Sequence, residues 1–260
     1  MEEKLATVYR MQNRDDAQSA YCCMTEVPTP WPKALCQCRD WISDNLGKYV
    51  EGYHLWLPSG KVIGHLYFAL SEQALFPYEV EPGVGILYCD WVQQNYQGMG
   101  FGKRLFDTFV DDMRQEGAKG ILVEATDLEG QMFFQHYLGR GFEIVHEKGH
   151  RKLLYYPLRE SQVQARPLQA HIQPRSGTPV EIVILNGYLC PYEVSTIVRL
   201  REIAPEFGKR VILQEENVTP KTLQKYGFAT AIFINGRQKL VGGETEEAIR
   251  QAILEEFNER

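Results

Sequence analysis

Residues 96–105, YQGMGFGKRL, place glycines at 98, 100 and 102, directly after an apolar run and directly before an amphipathic one. A strand that leads through bare backbone into a helix start is suited to holding an anion. The first N–H groups of a helix have no intrahelical partner, and the helix dipole adds partial positive charge there. Glycines let the main chain approach a phosphate with no Cβ in between. Lys103 and Arg104 add charge near the same end. The pattern predicts a phosphate-bearing ligand over residues 98–103. It is not the triphosphate loop G-x-x-x-x-G-K-[ST], and it misses the dinucleotide fingerprint G-x-G-x-x-G because position 103 is lysine.

The elements that must position this loop follow from periodicity. A first strand is expected within 5–12, and a helix over 33–46, where Leu35, Cys38, Ile42 and Leu46 recur at helical spacing. EGYHLWL and KVIGHLYFAL, separated by Pro58-Ser59-Gly60, read as a strand pair, and GVGILYCDWV as the next strand. Residues 100–115 form an amphipathic helix with Phe101, Leu105, Phe109 and Met113 on one side. ILVEA, the helix QMFFQHYLGR, and the strands FEIV and KLLYYPL complete a first domain, 1–158. The polar stretch 159–178 is a linker in which PLQAHI can add an edge strand. A second domain, 179–260, starts again: strand VEIVILNG, helix 191–204, strand RVILQE, helix 221–226, strands TAIFIN and QKLVGG, helix EEAIRQAILEEF. The fold class is α/β (α+β).

Bulk properties exclude less. The 260 residues are 44% hydrophobic and 24% charged, with a net charge of -6, which gives no reason to expect a nucleic-acid partner. No apolar run is long enough for a membrane span and the acidic start is not a secretory signal, so the expected setting is cytoplasmic with six reduced cysteines.

Gln97-x-x-Gly100-x-Gly102 resembles the Q/R-x-x-G-x-G/A segment of the GNAT superfamily of N-acetyltransferases. GILYCDWVQQNYQGMGFGKRLFDTFV resembles that family's strand–loop–helix core, and FFQHYLGRGFEIV its later Tyr-x-x-x-Gly-Phe signature at Tyr137, Gly141 and Phe142. The resemblance covers about residues 1–158 and implies the acyl-CoA N-acyltransferase fold. It implies acetyl-CoA as co-substrate, its pyrophosphate bound by Gln97, Gly98, Met99, Gly100, Phe101, Gly102 and Lys103, and its thioester arm by backbone groups near Val92 where the strand splays. It makes Tyr137 the acid beside the sulfur, and a phenol with a pKa of ~10 suits a departing thiolate. Where many relatives have an asparagine seven residues earlier, this chain has Gly130. Cys22-Cys23 near the start, Cys89-x-Trp91-Val92 on the central strand and a thioredoxin-like second domain resemble the YoaP-like subgroup.

The base is read from strand alternation, which puts Ile86, Tyr88, Asp90 and Val92 on one face. Ile86 cannot serve, so Asp90 is the nominee for base or amine-docking anion, with Glu124, Glu51 and Glu79 behind it and a water relay also open. Cys22, Cys23, Cys36 and Cys38 do not have chelating spacing, and no metal is expected. In the second domain Cys190-Pro191-Tyr192-Glu193 resembles the glutaredoxin Cys-Pro-Tyr-Cys, with Glu193 replacing the second cysteine and Thr230 standing where a cis-proline is usual. Cys190 is the redox candidate, its thiolate favoured by the helix dipole but opposed by Glu193 and lacking a resolving partner nearby. The expected activity is acetyl transfer to a primary amine by direct attack in a ternary complex, on a small-molecule or peptide acceptor, with no membrane partner and a homodimer as one open arrangement. The alternative is a non-catalytic acyl-CoA-binding module or a monothiol sensor using Cys190.

Overall fold

In the computed structural model, residues 5–24, 31–128 and 132–258 are described. They fall into two compact units. One lies within Met1–Thr25, Ser43–Ala74 and Val80–Arg166, the other within Glu26–Ile42, Leu75–Glu79 and Pro167–Arg260. Residues 31–42 and 75–79 thus precede the linker in sequence but group with the second unit.

The first unit is built on seven strands: β1 (Thr7–Arg10), β2 (Glu51–Trp56), β3 (Val62–Leu70), β5 (Val84–Val92), β6 (Gly120–Thr126), β7 (Glu143–Lys148) and β8 (Arg151–Pro157). Their order is β1-β2-β3-β5-β6-β8-β7. Neighbours are antiparallel except β5 and β6, which are parallel. A parallel pair needs a crossover, and α3 (Phe101–Gln115) supplies it. Phe101, Leu105, Phe106, Phe109, Val110 and Met113 of α3 are buried, a stripe wide enough to cover one sheet face. They share a core with Leu66, Phe68, Leu87 and Val92. Two short helices escape the periodicity argument. α1 (Arg14–Gln18) is set by Asn13, whose side chain accepts from the Asp15 and Asp16 N–H groups. α4 (Phe134–Leu138) is shorter than the ten-residue QMFFQHYLGR, because Phe133 provides no side-chain cap and Gly139 follows.

Two irregularities of β5 shape the site. It pairs with β6 only from Val84↔Gly120 to Leu87↔Val123, so Tyr88–Val92 diverge from β6. It also shifts register against β3, with Phe68 opposite Leu87 but Tyr67 opposite Cys89, which leaves Tyr88 as a bulge. Leu87, Asp90 and Val92 therefore share the face of Phe68, Leu66 and Gly64, while Ile86, Cys89 and Trp91 lie on the other. This corrects the expectation that Ile86 and Asp90 share a face. The extra residue breaks the period of two.

The second unit has a four-stranded sheet, β11 (Val211–Asn217), β10 (Val180–Asn186), β12 (Ala231–Ile234) and β13 (Arg237–Leu240), in that spatial order. β10 and β11 are parallel, and β12 is antiparallel to both β10 and β13. Helices α5 (Pro191–Ile203), α6 (Pro220–Tyr226) and α7 (Glu246–Asn258) complete it, with Ile182, Ile184, Ile197, Leu200, Ile249 and Ile253 in its core. Helix α2 (Pro32–Asn45) lies close to the expected 33–46. The short strands β4 (Tyr78–Val80) and β9 (Ala165–Pro167) pair separately, so the edge strand near the linker comes earlier than PLQAHI. Among the described residues, no helix is long and apolar enough to cross a membrane.

Candidate active site

The glycine loop follows β5 and ends as the N-terminus of α3. Gly98 and Gly100 have φ of 77° and 83°, a left-handed backbone that L side chains rarely adopt, and Gly100 is the N-cap of α3. A Cβ at either position would meet nothing within 4 Å. The two residues are glycine for backbone shape, and the space above them is open. The Arg104 N–H donates to the Gly100 carbonyl at 3.0 Å, so the N–H groups of Phe101, Gly102 and Lys103 precede the first intrahelical bond. The ring of Phe101 is buried in the core, which leaves only its backbone for a ligand.

At the other end of the gap, the Gln93 N–H donates to the Ile63 carbonyl at 2.8 Å. Bonding alternates along an antiparallel pair, so the backbone of Val92 points away from β3 and into the opening beside β6. Consistently, the Val92 carbonyl accepts from the Gln97 side-chain amide at 2.9 Å. Gln97 thereby ties the loop to the strand end.

Asp90 and Tyr137 meet. The Tyr137 hydroxyl donates to one Asp90 carboxylate oxygen at 2.6 Å, and the Met132 sulfur lies 3.2 Å from the same hydroxyl. The other Asp90 oxygen accepts from Arg140 Nη1 at 2.6 Å, with His136 Nε2 4.0 Å away. The Asp90 side chain is 7% exposed and that of Arg140 13%. Burial, then the charge of Asp90 and its hydrogen bond, push the Tyr137 hydroxyl well above the ordinary phenol value, with Arg140 opposing. Tyr137 therefore keeps its proton. Burial and then Arg140 push His136 down.

A sheet opened between two parallel strands, a glycine-led helix start and a buried phenol now meet in one unit. Residues 14–139 match the acetyltransferase (GNAT) family. That segment contains the β5 splay, the loop and Tyr137, and the first unit's sheet is GNAT-like. No curated protein matches the chain. Among solved structures, the chain is similar to a GNAT-family acetyltransferase from Staphylococcus aureus, at 13% identity and a TM-score of 0.43, covering 59% of this chain and 99% of that one. It is also similar to the GNAT-family N-acetyltransferase YhbS from Escherichia coli in complex with CoA, at 16% identity and a TM-score of 0.44, covering 60% and 82%. A third is the ribosomal-protein-S18-alanine N-acetyltransferase from Escherichia coli, at 16% identity and a TM-score of 0.43, covering 60% and 96%.

Within the GNAT match, several nominated residues lie apart from the gap's chemistry. Lys103 is 78% exposed and bonded to Asp107 at 2.5 Å along the helix, and Met99 is exposed. Glu51 pairs with Arg10, and Glu124 pairs with Arg151 at 3.3 Å. Glu79 is exposed on β4 and groups with the second unit. Gly130 lies outside the described residues.

Two features of the first unit escaped the sequence. Arg140 stands one turn after Tyr137 on the same side, and its only sequence signal is a charge three residues from the tyrosine. On the opposite face of the sheet, His65 is fully buried, with Cys22 Sγ 3.2 Å from its Nδ1 and Cys89 Sγ 3.5 Å from its Nε2. Tyr67 stacks on its ring at 4.6 Å. Burial, with His54 adding to it, lowers the His65 pKa to about 3, and burial raises that of Cys22. The cluster sets a neutral imidazole against the protonated Cys22 thiol, which makes that pair packing rather than an activated nucleophile. In the second unit Cys190 is the half-buried N-cap of α5, with Pro191 at the first helical position and Glu193 in the first turn. Among the described residues no group of three His, Cys, Asp or Glu side chains could hold a metal ion.

Proposed function

We propose that the protein is an acetyl-CoA-dependent N-acetyltransferase that acts on a primary amine by direct attack in a ternary complex. The observation that carries this is the grouping where β5 parts from β6: the Val92 backbone turned away from β3, the glycine loop that Gln97 ties to it, and the Tyr137 hydroxyl bonded to Asp90 of the same strand end. The family match supports acyl transfer as the reaction class. The open backbone at Gly98 and Gly100 fits a diphosphate, because no side chain occupies the space where its oxygens would meet the helix N–H groups.

When bound, acetyl-CoA supplies a thioester whose acetyl group is already activated for attack. The Val92 N–H, unused by β3, is placed to polarise a carbonyl oxygen in the gap. Tyr137 holds the proton that a departing sulfur requires, and Asp90 fixes that hydroxyl in place. Asp90 is also the group positioned to return the amine's lost proton to the phenolate. Orientation supplies the rest of the acceleration. The strand order β11-β10-β12-β13, with one parallel and two antiparallel pairings, supports reading the second unit as a thioredoxin-like, YoaP-like accessory domain.

Calorimetric titration of acetyl-CoA into the native protein and Gly100→Val tests the reading. Saturable binding that the substitution abolishes, followed by amine-dependent thiol release, is the expected result. Absence of binding by the native protein would refute it.

A further inference from the structure

The Arg140 guanidinium touches two halves of the site at once. Its Nη1 is bonded to Asp90, while Nη2 faces the start of α3: a Cβ built on Gly102 would lie 3.4 Å from it. Gly102, unlike Gly98 and Gly100, thus has the guanidinium as its neighbour. The guanidinium plane is held by rings, with its carbon 4.9 Å from the Phe106 centroid and 5.8 Å from that of Tyr137. An arginine has five N–H donors in a rigid fork. Among the described residues, the one side-chain hydrogen bond that Arg140 donates is that to Asp90. A side chain 13% exposed thus keeps further donors beside the start of α3, where Lys103 is turned outward to Asp107.

We infer that Arg140 is a shared donor, holding Asp90 with one nitrogen and a phosphate oxygen of the ligand at residues 98–103 with the other. This rests on the coenzyme A reading of that loop. The ligand class is a diphosphate, which a planar fork beside helix N–H groups recognises better than a point charge does. Occupancy of the loop is then coupled to the acid. A phosphate that draws on Arg140 changes its grip on Asp90, and Asp90 is what orients the Tyr137 hydroxyl. Linkage makes the coupling reciprocal for binding.

The test titrates acetyl-CoA and inorganic pyrophosphate into native protein, Arg140→Met, Arg140→Lys and the double variant Arg140→Met with Asp90→Asn. A lost charge-assisted hydrogen bond weakens binding by about ten- to a hundred-fold. That loss is expected for both ligands in Arg140→Met, with partial recovery in Arg140→Lys. The double variant removes the buried charge pair together, so it also serves if Arg140→Met alone fails to fold. It should bind as weakly as the single variant. Native affinity in Arg140→Met, or its recovery in the double variant, would show that Arg140 only neutralises Asp90 and would overturn the inference while leaving the loop's ligand intact. A native protein that binds neither ligand would overturn the functional reading, and this inference with it.

Discussion

Tyr137 keeps its proton because two effects agree: it is buried, and its hydroxyl points at a carboxylate. As the acid of the proposed reaction it would act on the chemical step rather than on binding. Tyr137→Phe should therefore lower kcat by about a hundred- to ten-thousand-fold while leaving the acetyl-CoA affinity unchanged, as measured by thiol release and calorimetry. Loss of affinity in proportion would assign the ring to packing. His65 makes a separate prediction on stability. Its folded pKa of about 3 lies below the ordinary ~6.5, so the stability it confers is complete above ~6.5 and is lost as the pH falls toward 3. Between pH 7 and pH 5 this one group should withdraw ~2 kcal/mol of unfolding free energy. Urea denaturation at the two pH values checks this, and His65→Gln should flatten the difference.

At the scale of elements, the site depends on one extra residue and one turn. The bulge at Tyr88 rotates Asp90 onto the face of Leu87 and Val92, where Tyr137 and Arg140 can reach it. Simple alternation places Asp90 on the face of Ile86, because a sequence does not reveal where a strand will carry two residues against one. The loop was more legible, since glycine at a left-handed position has a local cause. Gly100→Ala should cost ~1–2 kcal/mol of stability from the backbone alone, as nothing within 4 Å would oppose the methyl group. Equilibrium unfolding of the two proteins measures it, and no change would remove the backbone argument.

For the whole molecule, the division into units matters more than the position of the linker. Helix α2 and the residue before it supply partners to the second unit: Lys33 pairs with Glu202 at 2.5 Å, Gln37 accepts from Arg201 at 3.1 Å, and Trp31 meets Tyr192 edge-on at 5.5 Å. A chain cut after Arg166 would leave these groups without their partners. It should be measurably less stable than the intact chain in thermal unfolding, whereas an equally stable fragment would show that residues 1–166 stand alone.

Features with local causes were readable from the residues alone: glycines where the backbone turns left-handed, a stripe of Phe101, Leu105, Phe109 and Met113, and the order of the longer strands and helices that follows from period and punctuation. The sequence also singled out Asp90 and Tyr137. Their contact with each other, the insertion of Arg140 between Asp90 and Gly102, and the enclosure of His65 by Cys22 and Cys89 were decided by the tertiary structure. Each of these joins residues from different elements. Such contacts depend on strand register, a bulge and the path of a short turn, none of which leaves a pattern in neighbouring residues.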